Sequence, residues 1–371
     1  MLQVKISQLM EDLVVFKDLV IQSHKGPYSV SFSESPISNV SELYEGEAHY
    51  IIDANIARLY KTELFDLLEH PNTITIKATE KNKSIDKIIP IFEQLVENKV
   101  RRDHVLIAIG GGIIQDITCF IASTLLRGVP WYLIPTTLLA QADSCIGSKS
   151  SINLTDTKNI IGTFNPPQKI FIHSCFLDTL DNKEIHSGIG EIIKVHAIDG
   201  ASAYDNLTND FDKLYSDRPT LLKYIQAALL IKQDYIEKDE FDAGIRNIFN
   251  YGHSFGHAIE SATNYAVPHG IAVSIGMDMA NYISMQQGKL SKKHYQRMHP
   301  ILRKNYAKYA STPIPLDALL SALKKDKKNK GDMLGLIFPI GDKAEIQRIY
   351  IPSDDTFVVQ CGLFLSAMAE E

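Results

Sequence analysis

His104-Val-Leu-Ile-Ala-Ile-Gly-Gly-Gly-Ile-Ile-Gln-Asp116 is the stretch on which the fold turns. Its first six residues, His104 to Ile109, form an apolar run of strand length, three glycines follow, and a helix-like run begins. Glycine lets a backbone approach a ligand closely, and the amides of a helix N-terminus can meet a phosphate. The pattern is neither GxGxxG nor GxxxxGK[ST], so an ordinary dinucleotide half-fold or an ATPase P-loop is not supported. Two readings stand at this point: a nucleotide or phosphate site, and a tight turn made for close helix packing.

Working outward, Ala48 to Asp53, Asn72 to Ile76 and Trp131 to Ile134 also read as short buried strands, and Ile85 to Glu97 as an intervening helix. Buried strands separated by helices predict a mostly parallel α/β layer. Alternation in Leu2 to Met10 and Tyr28 to Phe32 is compatible with an antiparallel start. Past the proline turn at Asn165 to Pro167 the pattern turns helical: Ala203 to Phe211, Thr220 to Lys238, Arg246 to Ser261, Gly270 to Gln287 and Pro315 to Lys325. The expected division is an α/β domain over 1–169 and a mainly α-helical domain over 170–371.

With 371 residues, 45% of them hydrophobic, the chain can bury the cores of two domains. A net charge of -6, from 44 acidic and 38 basic side chains, gives no general footprint for nucleic acid. Cys119, Cys145, Cys175 and Cys361 form no CxxC pair and read as free thiols of a cytoplasmic protein. Neither a leader-like N-terminus nor an unbroken apolar run of membrane-spanning length is visible, so no membrane association is expected.

Three histidines mark the helical half. His253 and His257 are four apart, on one helical face, and His269 follows. Together with Glu191 of the segment GIGEIIK, His253 and His269 would make a Glu/His/His zinc set open at its fourth position. Taken singly, each has a plainer reading as a surface carboxylate or a hydrogen-bonded imidazole. The absence of HExxH disfavours a zinc protease. Arg127, Lys149 and Lys158 could hold a phosphate or carboxylate, or belong to a solvated loop. Arg246, Asn250, His253 and His257 recur at helical steps and would share one face.

The motifs taken in order have a family likeness. EKNKS at Glu80, GGGIIQD at Gly110, LLRG at Leu125, IPTTLLAQADS at Ile134, TKNIIGTF at Thr157, GIGEIIK at Gly188, RNIFNYGHSFGHAIE at Arg246, HGIAVSIGM at His269 and DKK at Asp326 resemble the sugar phosphate cyclase superfamily, most of all the 3-dehydroquinate synthase family. The resemblance implies a Rossmann-like nucleotide-binding domain, a helical metal-binding domain and a cleft between them. NAD would meet Asp53, Glu80, Lys83, Gly111, Gly112, Asp116, Thr136, Thr137 and Asp143. Zinc, or cobalt in its place, would be held by Glu191, His253 and His269. A sugar phosphate would meet Arg127, Lys149, Lys158, Asn159, Lys232, Arg246, Asn250 and Lys327 or Lys328. The residues expected nearest the chemistry are His257, Lys194, Lys149, Asn159 and Asn250, with His257 relaying a proton from a basicity near neutrality.

On this likeness, 3-deoxy-D-arabino-heptulosonate 7-phosphate would close to 3-dehydroquinate with loss of phosphate, as in the making of aromatic amino acids. NAD would be used and regenerated, and a homodimer is expected. The alternative is a related cyclase taking sedoheptulose 7-phosphate or glucose 6-phosphate. A polyol dehydrogenase would instead consume NAD stoichiometrically. Three positions depart from the family pattern: Gln115 and Ser148, where other residues are usual, and Ile271, where glutamate is usual after HG. They are expected to put larger side chains near nucleotide and substrate. Arg246 and Asn250, which belong to the carboxylate-handling set, are retained.

Overall fold

The computed structural model describes residues 16–33, 44–155, 157–326 and 328–370. The alternating segment Leu2 to Met10 and Lys327 lie outside the described residues. The strands that the apolar runs predict form within a residue of their expected bounds. They are β3 (Ala48–Asp53), β4 (Thr73–Ile76), β5 (Val105–Gly110) and β6 (Trp131–Pro135). With β1 (Leu19–Ile21), β2 (Tyr28–Ser33) and β9 (Lys169–His173) they build one sheet in the order β1-β2-β9-β6-β5-β3-β4. Every pairing is parallel except β1 with β2, so the alternation at Tyr28 does mark an antiparallel start.

Residues of β3, β5 and β6 are buried almost throughout, because helices cover both faces. Side chains alternate across the sheet. Ile51, Leu106, Ala108 and Leu133 pack with Ile114, Ile117 and Ile121 on one side. Ile52, Ile107, Ile109 and Ile134 pack with Ile56, Leu64 and Phe176 on the other. The chain runs from β3 out to β4, then returns to place β5 on the far side of β3. This reversal opens a crevice at the carboxyl ends of β3 and β5, where open parallel sheets bind ligands. Asp53 ends β3 and the three glycines end β5.

Among the described residues, the helices of eight residues or more are α1 (Ile85–Glu97), α2 (Gly112–Thr124), α3 (Asn182–Asp199), α4 (Ala201–Asp210), α5 (Arg218–Lys238), α6 (His253–Ala262), α7 (His269–Gln286), α8 (Lys292–Tyr306), α9 (Leu316–Lys324) and α10 (Asp355–Glu370). Two hairpins lie outside the main sheet: β7 (Lys149–Leu154) with β8 (Thr157–Phe164), and β10 (Met333–Ile340) with β11 (Glu345–Pro352). The structure thus joins an α/β half to a mainly helical half. No helix among the described residues is long and apolar enough to cross a membrane.

One expected helix is broken. The run from Arg246 to Ser261 splits into a 3-10 turn at Ile245–Asn250 and the helix α6, with Gly252 between them at φ 76°. That left-handed φ suits glycine, and a side chain there would also strike the Val273 carbonyl at 2.6 Å. Arg246 and Asn250 therefore sit on a separate turn, not on the helical face that carries His253 and His257.

Candidate active site

A cavity of about 1090 Å³ opens between the two halves, running from Asp53 at one end to His269 at the other. At the sheet end, α2 begins at Gly111 with no side chain capping its first amides. A Cβ on Gly111 would come within 2.8 Å of Thr137 Cγ2, so glycine is needed for the close turn and leaves those amides facing the cavity. The close-packing reading of the glycine run is met, and the same packing leaves the helix terminus facing the cavity. Asp53 caps the short helix after β3, accepting from Asn55 N at 2.9 Å. Burial raises its pKa, against the lowering effect of the Asn55 and Ala78 amides.

Beside the glycines, buried Lys83 donates to Asp116 Oδ2 at 3.0 Å and to Asn159 Oδ1 at 2.9 Å. Glu80 Oε1 stands 3.8 Å from the same ammonium and accepts from Asn153 at 2.8 Å. Gln115 also lines the cavity. It donates to the Ser144 carbonyl at 2.6 Å and accepts from Ser144 Oγ at 3.0 Å, clasping α2 to the turn that carries Asp143. Ile271, in contrast, is wholly buried in the core and does not line the cavity, so that departure places no side chain beside a ligand.

The middle of the cavity is a lattice of charges. Asp143 meets Lys232 Nζ at 2.6 Å and Lys194 Nζ at 3.1 Å. Burial lowers the Lys232 pKa despite Asp143, whereas for Lys194 the Asp143 and Glu191 charges outweigh burial and raise it. Lys149 is ion-paired with Asp242, whereas Lys328, which does not line the cavity, has its Nζ 3.6 Å from Asp326. Arg246, 7% exposed, donates to the Glu240 carbonyl at 2.8 Å and lies against Gly147. A Cβ on Gly147 would sit 2.9 Å from its guanidinium, and Gly147 has φ 107°. Among the described residues no carboxylate stands within ion-pair distance of Arg246.

The histidines come together through helix packing. A Cβ on Gly190 of α3 would be 2.1 Å from the Gly270 carbonyl, and one on Gly270 of α7 would be 1.8 Å from the Ser187 carbonyl. Two glycines thus let α3 and α7 touch backbone to backbone, which sets Glu191 against His269. Glu191 Oε1 lies 3.5 Å from His269 Nε2 and 3.7 Å from His253 Nε2. A tetrahedral zinc with bonds near 2.1 Å would separate its ligand atoms by roughly 3.4 Å. Donor atoms of His253, His257 and His269 all fall within 4.8 Å of one another.

The electrostatics suit a cation at that centre. Glu191 is 1% exposed and neither oxygen accepts a well-formed hydrogen bond, although Lys194 Nζ lies 2.5 Å from Oε2. Burial opposes its ionisation, but Lys194 and His269 outweigh burial and hold its pKa well below the usual carboxylate value. Burial, then Lys194, depresses His253 far below an ordinary imidazole, keeping a lone pair available. For His269 the Glu191 and Glu260 carboxylates outweigh burial and raise the pKa to about 10, so positive charge is favoured there. His257 is pushed down to about 4 by burial and by His269, so it is a neutral imidazole over the working pH range instead of one titrating near neutrality.

The cavity wall includes Asp53, Glu80, Lys83, Gly111, Gly112, Asp116, Thr136, Thr137, Asp143, Lys149, Lys158, Asn159, Lys232, Arg246, His257 and His269, all singled out from the sequence. Glu191, Lys194 and His253 lie directly behind it, in contact with Asp143 and His269. Asn250 turns away to donate to the Asn247 carbonyl at 3.1 Å. Arg127 does not line the cavity. It is exposed beyond the C-terminal end of α2, and that 13-residue helix, about 20 Å long, separates it from the glycines.

Three functional candidates escaped the sequence reading. Glu260 Oε2 accepts from His269 Nδ1 at 3.1 Å, and its place one turn after His257 on α6 was the available signal. Asp242 holds Lys149 from a loop, and Tyr265 stacks under Lys158, for neither of which the sequence carries a spacing cue.

Comparison with known proteins places this geometry among relatives. Residues 73–187 match the family described as 3-dehydroquinate synthase N-terminal, and residues 188–329 that described as 3-dehydroquinate synthase C-terminal. A 3-dehydroquinate synthase of Dictyoglomus turgidum is 38% identical over 301 residues, covering 81% of this chain and 83% of the relative. Among solved structures, the 2-epi-5-epi-valiolone synthase ValA of Streptomyces hygroscopicus, with NAD+ and Zn2+ bound, superposes with a TM-score of 0.79 at 24% identity, covering 92% of this chain and 97% of that one. A 2-deoxy-scyllo-inosose synthase complexed with carbaglucose-6-phosphate, NAD+ and Co2+ does so with a TM-score of 0.77 at 20% identity, covering 95% and 100%. At those identities the two structures speak for the fold.

Proposed function

Because the chain belongs to the 3-dehydroquinate synthase family, within the sugar phosphate cyclases, we propose that it converts 3-deoxy-D-arabino-heptulosonate 7-phosphate to 3-dehydroquinate and phosphate, with NAD and a divalent zinc or cobalt ion as cofactors. The observation that carries the substrate is Arg246. It is a buried guanidinium on the cavity wall with a carbonyl, and no described carboxylate, for a partner. A buried charge left unpaired is costly, and the substrate's own carboxylate would complete it with two parallel hydrogen bonds. Sedoheptulose 7-phosphate and glucose 6-phosphate lack that group.

Asp53, the Gly111–Gly112 amides and the Lys83–Asp116 pair are assigned to NAD. Glu191, His253 and His269 are assigned to the metal, for which their donor set and spacing fit. When bound, NAD supplies reversible hydride exchange at a ring hydroxyl, and the metal lowers the cost of removing that hydroxyl's proton. Lys232 and Lys149 hold the sugar phosphate in register, and Lys194 keeps Glu191 ionised. His257, kept neutral, accepts a proton from the substrate's hydroxyl network and returns it as the ring reforms. The walls of the cavity exclude water while the intermediates last.

The test is to offer the three sugar phosphates separately and identify the products. Phosphate release and 3-dehydroquinate from the heptulosonate alone, without net NADH, is the expected result. Turnover of either carboxylate-free sugar at a comparable rate would overturn the substrate assignment, and stoichiometric NADH would point to a dehydrogenase instead.

A further inference from the structure

We propose that Tyr265 is a positioning residue, whose ring holds the Lys158 ammonium over the mouth of the cavity as an uncompensated positive charge for the substrate's anionic group. This rests on the sugar phosphate reading of the same cavity. Lys83, Lys149, Lys194, Lys232 and Lys328 each sit with a carboxylate. Lys158 differs. Its Nζ lies 3.6 Å from the centroid of the Tyr265 ring, and no described carboxylate is within ion-pair distance. A carboxylate cancels most of an ammonium's charge, whereas a ring face orients the ammonium and leaves the charge to act outward.

Both partners are held from opposite halves. Lys158 precedes Asn159 on β8. The Asn159 amide donates to Asn153 Oδ1 at 2.8 Å, and its side chain accepts from Lys83 and Ser151, each at 2.9 Å. The backbone that launches Lys158 is therefore tied to the Lys83–Asp116 cluster. Tyr265 follows α6, and its amide donates to the Glu260 carbonyl at 2.7 Å. Asn264 and Tyr265 have φ of 50° and 62°, a left-handed pair that tyrosine does not favour. The ring is 55% exposed, so core packing does not explain the arrangement. The left-handed pair terminates α6, where the Tyr265 amide takes the Glu260 carbonyl, and the ring it presents meets Lys158 on a wall that both residues share.

The experiment compares Tyr265→Phe, Tyr265→Leu, Lys158→Met and the Lys158→Met/Tyr265→Leu double variant of the NAD- and zinc-loaded protein. Tyr265→Leu is expected to raise KM for the heptulosonate phosphate about three- to tenfold with kcat within twofold, Tyr265→Phe to stay near wild type, and Tyr265→Leu to add nothing once Lys158 is methionine. Inorganic phosphate binding, titrated calorimetrically, should weaken in the same pattern. That arm needs no turnover, so it still reads the pair if none of the sugar phosphates is the substrate. Wild-type phosphate affinity in Tyr265→Leu, equal loss in Tyr265→Phe, or additive loss in the double variant would overturn the proposal.

Discussion

Replacing Glu260 with glutamine should weaken metal binding about tenfold while leaving the fold intact. The carboxylate accepts from His269 Nδ1 at 3.1 Å, fixing which ring nitrogen is left to face Glu191 and the proposed metal. A hydrogen bond to a charged partner contributes about 1.5–3 kcal/mol. Here it is longer than the 2.7–2.9 Å usual for such pairs, and the Glu260 side chain keeps 15% of its exposure, which puts the effect at the lower end. About 1.4 kcal/mol is tenfold in a dissociation constant. Glutamine keeps the shape and can still accept the hydrogen bond through its amide oxygen, so the loss reports the charge. The assay is a cobalt titration of the metal-stripped protein against a competing chelator, followed by the visible absorbance of bound cobalt. Thermal melts of the stripped variants would check the fold. A dissociation constant within twofold of wild type would refute the argument that Glu260 sets the orientation and basicity of His269.

Three other perturbations probe different parts of the structure. Arg246→Leu should cut kcat/KM for the carboxylated substrate by 100-fold or more, about 3 kcal/mol for a buried charged contact, while phosphate binding changes little; equal losses for both ligands would count against a carboxylate at Arg246. Gly270→Ala would drive a Cβ to 1.8 Å from the Ser187 carbonyl, so α3 and α7 must part. A loss of about 3 kcal/mol in urea unfolding and weaker cobalt binding are expected together, and normal metal affinity would show that the backbone contact does not set the ligand spacing. His196, buried in α3, has its pKa lowered from 6.5 to about 4, chiefly by burial. Between those values the unfolded chain binds more protons, so its contribution is full above about pH 6.5 and is lost as pH falls toward 4. His196→Leu should therefore flatten stability over that window by about 2–3 kcal/mol, measured by urea melts from pH 4 to 7; an unchanged slope would remove His196 as a source of acid lability.

The parallel sheet was legible because β3, β5 and β6 are buried on both faces, and burial writes itself into sequence as unbroken apolar runs. The hairpin of β7 and β8 was not. Its strand Thr157–Phe164 is largely exposed, so it carries no such pattern, and its polar residues read as loop. The break at Gly252 was masked because Asn250, His253 and His257 keep helical spacing across it. Residue types pointed to the proposed metal set, but its spacing depends on the Gly190–Gly270 contact between helices far apart in the chain. Arg127 shows the reverse case. A motif supplied a role, and the length of α2 carries the side chain away from the cavity.

That glycine contact also bears on how the chain folds. Glu191 and His269 are 78 residues apart (269 − 191), so their meeting requires the helical half to close a long loop, the slow and entropically costly kind of contact. A metal that binds the closed arrangement and not the open chain adds stability in proportion to the logarithm of its concentration over its dissociation constant. The ion assigned to catalysis would then double as a clip on a junction that closes 78 residues of chain, and metal starvation would be felt first as accelerated unfolding and proteolysis of the helical half.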